Sequence, residues 1–155
     1  MYWPAGMSPA ESALFVHNEI VIAAPVERVW QWLIRAEHWP AWYSNSSDVK
    51  ILSGGGPELG SGVAFEWRTF GVHLISHVLM FDPPHEVGWD AIGRLRAYHC
   101  WRLEPVDGGC HVVTEETQNG ILPRTLRWYL RPRMLRGHQL WLTSLRRMAE
   151  SGNPA

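Results

Sequence analysis

Between residues 63 and 118 the chain runs in alternating apolar and polar stretches broken only by turn-length segments, which constrains the fold more than any other feature. Val63, Phe65, Trp67 and Thr69 share one parity, while Glu66 and Arg68 share the other. A period of two is the signature of a half-buried strand. Gly71 turns the chain into residues 72–81, whose alternation is ambiguous, and Asp82-Pro83-Pro84 ends that run. Val87, Trp89 and Ala91 set the apolar face of the next strand. Residues 95–104 and 110–118 form the last two, joined through Asp107-Gly108, a strong hairpin signal. Connections this short leave no room for a crossover, so the sheet must be antiparallel. Its apolar face then needs a partner.

The rest of the chain supplies one. Everything after Gly120 reads as helix, with Pro123 near its first turn. Leu126, Leu130, Met134, Trp141, Leu145 and Met148 fall on one stripe, with His138 between Met134 and Trp141. Residues 123–150 would span roughly 42 Å as helix, and Pro132 is expected to kink or split it. Ahead of the sheet, residues 15–22 form a first strand with Val16, Ile20 and Ile22 on one face. Pro25 suits a first helical position, and Val26, Val29, Trp30 and Leu33 follow at helical spacing. Trp39-Pro40 interrupts this helix, residues 41–43 make a second short turn, and residues 48–52 a second strand. The order predicts an α+β domain. A seven-stranded curved antiparallel sheet surrounds a long C-terminal helix, with two short helices after strand 1. A strongly bent sheet does not close fully on one helix, so a cavity is expected between them.

The chain's 155 residues suit one domain. We expect a flexible segment at 1–13, a ligand-binding domain at 14–150 and a flexible tail at 151–155. With 46% hydrophobic and 19% charged residues the composition is globular. There is no apolar run of about 18 residues, hence no integral membrane association. Residues 1–13 lack the pattern of a signal peptide, so a cytoplasmic location and reduced thiols at Cys100 and Cys110 are expected. The thirteen Arg against Lys50 resemble coding from a GC-rich bacterial genome. Charge is uneven: the net is −1, yet Arg124, Arg127, Arg131, Arg133, Arg136, Arg146 and Arg147 face only Glu150 after residue 120. Such a stripe can serve nucleic acid or anionic lipid. No nucleic-acid signature accompanies it, and the expectation is that these arginines coat the solvent side of a helix packed on an acidic sheet.

Motifs for phosphate, nucleophile and metal chemistry are missing. The glycine-rich residues 53–62 lack the Gly-Lys-Ser/Thr ending of a phosphate loop. Gly60-Ser61-Gly62 does not make a nucleophile elbow. No His-Glu-x-x-His or Cys-x-x-Cys pair occurs, and His73 and His77 on one strand would sit roughly 13 Å apart. We expect no cofactor and no metal.

The Asp107-Gly108 turn sets a register in which opposed residues sum to 215. Leu103 then faces Val112, Trp101 faces Thr114 and His99 faces Glu116, all on one surface. Arg102, Cys100 and Tyr98 share the other surface with Val113, Glu115 and His111. The first set is the more apolar and is assigned to the interior. Its exceptions, His99 and Glu116, are opposite each other. Buried together they must pair, as a wet structural pair near the sheet edge, a polar ligand anchor, or an acid/base couple. Trp67, Trp89, Trp101 and Trp141 also point inward, where aromatic walls suit a flat or apolar ligand. Taken singly, each of these tryptophans, and His138, is more often plain core. The candidate ligand-binding set is Trp67, Thr69, Trp89, His99, Trp101, Thr114, Glu116, Met134, His138 and Trp141; no catalytic residue is assigned.

Ala24-Pro25-Val26-Glu27-Arg28-Val29-Trp30 followed by His38-Trp39-Pro40-Ala41-Trp42-Tyr43 resembles the opening of the START-like, Bet v 1-like (SRPBCC) superfamily. More narrowly it resembles the bacterial polyketide cyclase/dehydrase and lipid-transport branch. Leu59-Gly60-Ser61-Gly62, Phe81-Asp82-Pro83-Pro84 and Trp101-Arg102-Leu103-Glu104-Pro105 agree, over roughly residues 15–150. The resemblance implies the helix-grip architecture and a cavity for a small hydrophobic or aromatic molecule, lipid- or polyketide-like. It leaves open a small cyclase or dehydratase and a protein-interaction or co-chaperone-like module. No nucleic-acid partner is expected, and a homodimer is left open. The family has no shared catalytic motif to carry over.

Overall fold

Between residues 14 and 119 seven strands form antiparallel pairs in this computed structural model, which describes residues 1–54, 56–92 and 96–154. Gly55 in the glycine-rich loop, Leu95 at the expected start of the sixth strand and Ala155 in the tail lie outside the described residues. Strand β1 (Leu14–Ile22) leads into α1 (Val26–Ile34), a 3₁₀ turn (Ala36–His38) and α2 (Trp39–Trp42). There follow β2 (Ser46–Ser53), β3 (Ala64–Thr69), β4 (Val72–Asp82), β5 (Glu86–Ile92), β6 (Arg96–Val106) and β7 (Gly109–Asn119). Helices α3 (Ile121–Thr125) and α4 (Arg127–Ser151) complete the chain.

The strand order is β1-β7-β6-β5-β4-β3-β2. The first strand therefore pairs with the last, while the others follow sequence order. The β6–β7 register sums to 215 from Arg96↔Asn119 to Val106↔Gly109, with His99↔Glu116 among the pairs. Alternation in β3 behaves as read: Phe65, Trp67 and Thr69 are buried. The ambiguity of β4 has a cause, a register shift between Val78 and Met80 that breaks the parity of its faces. The β3–β4 turn puts Phe70 at φ 50° and Gly71 at φ 79°. Two successive positive-φ residues are what a tight hairpin of this hand requires, and Phe70 adopts a conformation that favours glycine.

The concave face meets α4 along Trp141, Leu142 and Leu145, and Trp39 from α2 enters the same core. Val26, Val29, Trp30 and Leu33 of α1 are buried as their spacing requires. The helical stripe is corrected at one end: Leu126 is 38% exposed, not core. The split in the last helix is at Leu126, whose φ of −107° leaves the helical range. It does not occur at Pro132, which lies within α4 without interrupting it. The missing N–H costs a backbone bond near an exposed first turn and a half, where water can serve the freed carbonyl. Arg124, Arg127, Arg131, Arg133, Arg136, Arg146 and Arg147 are exposed, as their solvent-side assignment requires.

Residues 1–13, expected as a flexible lead-in, lie on the outer face of the sheet. Met7 is 3% exposed and clusters with Tyr98 and Cys100. The Thr117 hydroxyl donates to Met7 O at 2.8 Å, and Trp3 meets Tyr98 edge to face at 5.7 Å. Both faces of the β6–β7 hairpin are consequently buried near its centre. Cys100 and Cys110 are free and buried, on opposite faces. Among the described residues no helix is long and apolar enough to cross a membrane.

Candidate functional site

The space between sheet and helix is mostly filled by aromatic rings. Trp39, Trp89, Trp101 and Trp141 are among the largest fully buried side chains. Trp141 is the hub: its ring lies 5.0 Å from Trp39, 5.0 Å from Trp101 and 5.8 Å from Trp67. Tyr43 stacks on it at 4.5 Å with 12° between planes. The volume left over is a cavity of about 330 Å³ displaced toward the α3–α4 end. Trp67, Thr69, Trp89, His99, Glu116, Met134, His138 and Trp141 from the sequence-derived set line it.

Two of the expected wall residues do not. Trp101 is fully buried behind Trp141 and His99, so its ring supports the wall without facing the space. Thr114 is likewise fully buried, and its hydroxyl lies 2.7 Å from His99 Nε2. Both were assigned by facing the right side of the sheet, a criterion that cannot separate a wall from the layer beneath it.

One corner of the cavity is polar. Glu116 Oε2 lies 3.1 Å from His138 Nε2 and 3.6 Å from His99 Nδ1. Gln118 Nε2 donates to Glu116 Oε1 at 2.7 Å. Only the His138 contact has hydrogen-bond length; the His99 contact is a looser electrostatic one. The two imidazoles are stacked, 4.6 Å apart and 7° from parallel. Burial pushes His99 down to about 3; His138 beside it works the same way, and together they outweigh Glu116. Burial alone would raise the Glu116 carboxyl. The His138 hydrogen bond and the two imidazoles overcome that, holding it below its ordinary value. A neutral His99 with its proton on Nδ1, toward the carboxylate, leaves Nε2 to accept from Thr114; this tautomer follows from the network. His138 Nδ1 and the indole nitrogens of Trp101 and Trp141 are buried without a hydrogen-bond partner among the described residues.

Donor atoms of His99, Glu116 and His138 all lie within 4.8 Å of one another, so the fold gathers a two-histidine, one-carboxylate set that sequence spacing concealed. Three elements contribute them: β6, β7 and α4. With the rings parallel, their in-plane lone pairs run side by side and do not converge on one point. As it stands, the set is a carboxylate bridging two imidazoles, suited to anchoring a polar group or moving a proton.

Sequence reasoning also missed Tyr43, Phe70 and Gln118 as lining residues. The Asn45 side chain explains the first two: Nδ2 donates to Tyr43 Oη at 2.9 Å, and Oδ1 accepts from the Phe70 N–H at 3.1 Å. Phe70 lies against Gly137 of α4, where a Cβ would stand 2.3 Å from the ring. Gln118 was the legible one, since it continues the inward parity of His99 and Glu116 on the same strand pair.

A curved antiparallel sheet gripping a C-terminal helix around a partly open apolar pocket defines the START-like, Bet v 1-like class. The chain belongs to the polyketide cyclase / dehydrase and lipid transport family, whose model matches residues 15–150. It is similar to the crystal structure of the hypothetical protein jhp0584 from Helicobacter pylori, at 28% identity and TM-score 0.88, covering 96% of this chain and 95% of that one. The di-domain ARO/CYC StfQ of the steffimycin biosynthetic pathway shares the fold at 15% identity and TM-score 0.73, over 89% of this chain and 51% of that one. Ara h 8.0201 does so at 14% identity and TM-score 0.67, over 89% of this chain and 98% of that one. No curated protein sequence matches the chain.

Proposed function

We propose that the cavity binds a small hydrophobic or aromatic molecule, lipid- or polyketide-like, with its apolar body against Trp67, Trp89 and Trp141. Its polar end then meets Glu116 and His138. The observation that carries this is the contrast within one partly open space: a cavity of about 330 Å³, aromatic and aliphatic over most of its wall, with one carboxylate–imidazole corner. That volume is at the small end of ligand sites, which run from about 300 to 1,000 Å³. A one- or two-ring molecule or a single short chain fits it better than a two-chain lipid. The family description, and the fold shared with the di-domain ARO/CYC StfQ of the steffimycin biosynthetic pathway, support this class of ligand.

Native mass spectrometry of the purified protein, followed by calorimetric titration of the co-purified compound, tests the proposal. We expect one bound apolar molecule, and a Glu116→Gln variant that binds its polar form at least about fivefold more weakly while binding an aliphatic analogue equally well. A protein that retains no molecule and takes up none of a panel of aromatic and aliphatic compounds would count against it.

The hydrogen bond between Glu116 and His138 favours a second reading, a small cyclase or dehydratase. A carboxylate paired with an imidazole on a largely apolar wall can take a proton from a bound substrate and return it elsewhere. Turnover of a polyketide-like substrate that is abolished in Glu116→Gln with binding retained would select this reading over simple carriage.

A further inference from the structure

We propose that the tip formed by α3 and the first turns of α4 is a docking surface for an anionic lipid bilayer. Ile121 is 82% exposed, Trp128 76%, Tyr129 50%, Leu122 49% and Leu126 38%. Single exposed apolar residues are ordinary on soluble proteins, but five large ones within one short stretch are not. Helix folding does not require them there: Pro123 alone among residues 121–129 is buried.

Charge identifies the occupant. Arg124, Arg127, Arg131, Arg133 and Arg136 are exposed among and beside these residues, and no Asp or Glu occurs between Glu116 and Glu150. Among the described residues the arginine ion pairs involve Arg35, Arg68 and Arg102, leaving the tip's cationic charge uncompensated. The whole chain carries −1, so the residues outside this arginine-rich segment are net acidic. An anionic plane attracts the tip. Trp and Tyr interleaved with Arg suit the boundary between headgroups and acyl chains, where an indole and a guanidinium both find partners. A nucleic acid would use the arginines but leave Ile121, Leu122 and Leu126 without a role.

Position supplies an independent reason. Leu122, Leu126, Tyr129 and Arg133 belong at once to the exposed tip and to the lining of the cavity. A bilayer seated on the tip would place the cavity's mouth against hydrocarbon, giving an apolar molecule a path that avoids water. Vesicle binding needs no occupied cavity, so its outcome is separable from that of the ligand-binding proposal.

Co-sedimentation with vesicles of phosphatidylcholine alone, and of phosphatidylcholine mixed in equal parts with phosphatidylglycerol, tests this. The wild-type chain should sediment with the mixed vesicles, weakly with phosphatidylcholine, and less as salt is raised. Ile121→Ser with Trp128→Ser should lower partitioning about tenfold. Arg124→Glu with Arg127→Glu should lower it on the order of tenfold or more. All four positions are exposed, and circular dichroism with thermal melting verifies that both variants fold. The proposal is overturned if mixed vesicles do not retain the protein or if both variants bind as well as wild type. It is also overturned if the wild type forms a dimer that the Ile121→Ser/Trp128→Ser change dissociates without vesicle binding, since the patch would then cover a second copy. A single-stranded oligonucleotide bound more tightly than the mixed vesicles, with no effect of the serine changes, overturns it as well.

Discussion

His99 is held neutral by its surroundings, and the sign of the consequence can be worked out. The unfolded chain takes up this proton near 6.5, whereas the folded chain does so only at about 3. Between those values the unfolded state binds more protons, so stability falls as pH falls. Glu116 acts in the same direction: with its folded-state value depressed, its contribution is present above the ordinary carboxylate range and lost on acidification through the lowered value. Urea unfolding at pH 5 and pH 7.5 should show roughly 2 kcal/mol less stability at the lower pH from His99 alone. His99→Gln should flatten that difference; an unchanged pH slope would show that His99 titrates normally. A second residue-scale test concerns Gly137, whose absent side chain makes room for the Phe70 ring. Gly137→Ala must displace Phe70, which already sits at a positive φ and lines the cavity. We expect a loss of about 1–3 kcal/mol together with altered ligand affinity, measured by thermal melting and calorimetry on the same sample.

At the scale of elements, what was legible followed from local chemistry. Asp107-Gly108 fixed the turn, and the turn fixed every pair between β6 and β7. The placement of the helix break was not legible, because Pro132 is a strong breaker by rule while Leu126 carries no signal at all. Pro132 lies only one and a half turns inside α4, where its ring and missing N–H are tolerated at some cost. Pro132→Ala should therefore stabilise the protein by about 1–3 kcal/mol, seen as a higher melting temperature; a lower one would mean the proline shapes the α3–α4 junction. Leu145, fully buried where α4 meets the sheet, gives the opposite outcome: Leu145→Ala should cost roughly 2–5 kcal/mol. Gly109 also shows what parity cannot reveal. A Cβ there would stand 2.1 Å from the Ile22 carbonyl oxygen, so the end of β1 approaches β7 too closely for any side chain.

For the molecule as a whole, the aromatic wall was legible as a set but not as layers. Alternation placed Trp67, Trp89 and Trp101 on one side of the sheet, yet only packing among Trp39, Tyr43 and Trp141 decides which rings face the cavity. The outer face hid a larger surprise. Its polar neighbours left it unassigned to any interior, but Met7 and Trp3 return from far away in sequence to cover Tyr98 and Cys100. Burial raises both thiols, Cys110 to about 11, so neither should react quickly in the folded protein. Trp3→Ala with Met7→Ala should speed labelling of Cys100 by a thiol reagent while leaving Cys110 slow. Equal acceleration at both would mean that the change unfolds the protein instead of uncovering one face.

Trp39, Trp67, Trp89, Trp101 and Trp141 lie with ring centres 5.0 to 6.3 Å apart in a chain of linked contacts. At such spacing an excited indole passes its energy to a neighbour before it emits, so the five behave as one chromophore. Trp67, Trp89 and Trp141 border the cavity, and light absorbed by Trp39 and Trp101 behind them drains to whichever ring has the lowest excited state. A molecule that touches one bordering indole should thus change the emission of rings it never reaches, a change that a fluorescence titration with a candidate ligand would read.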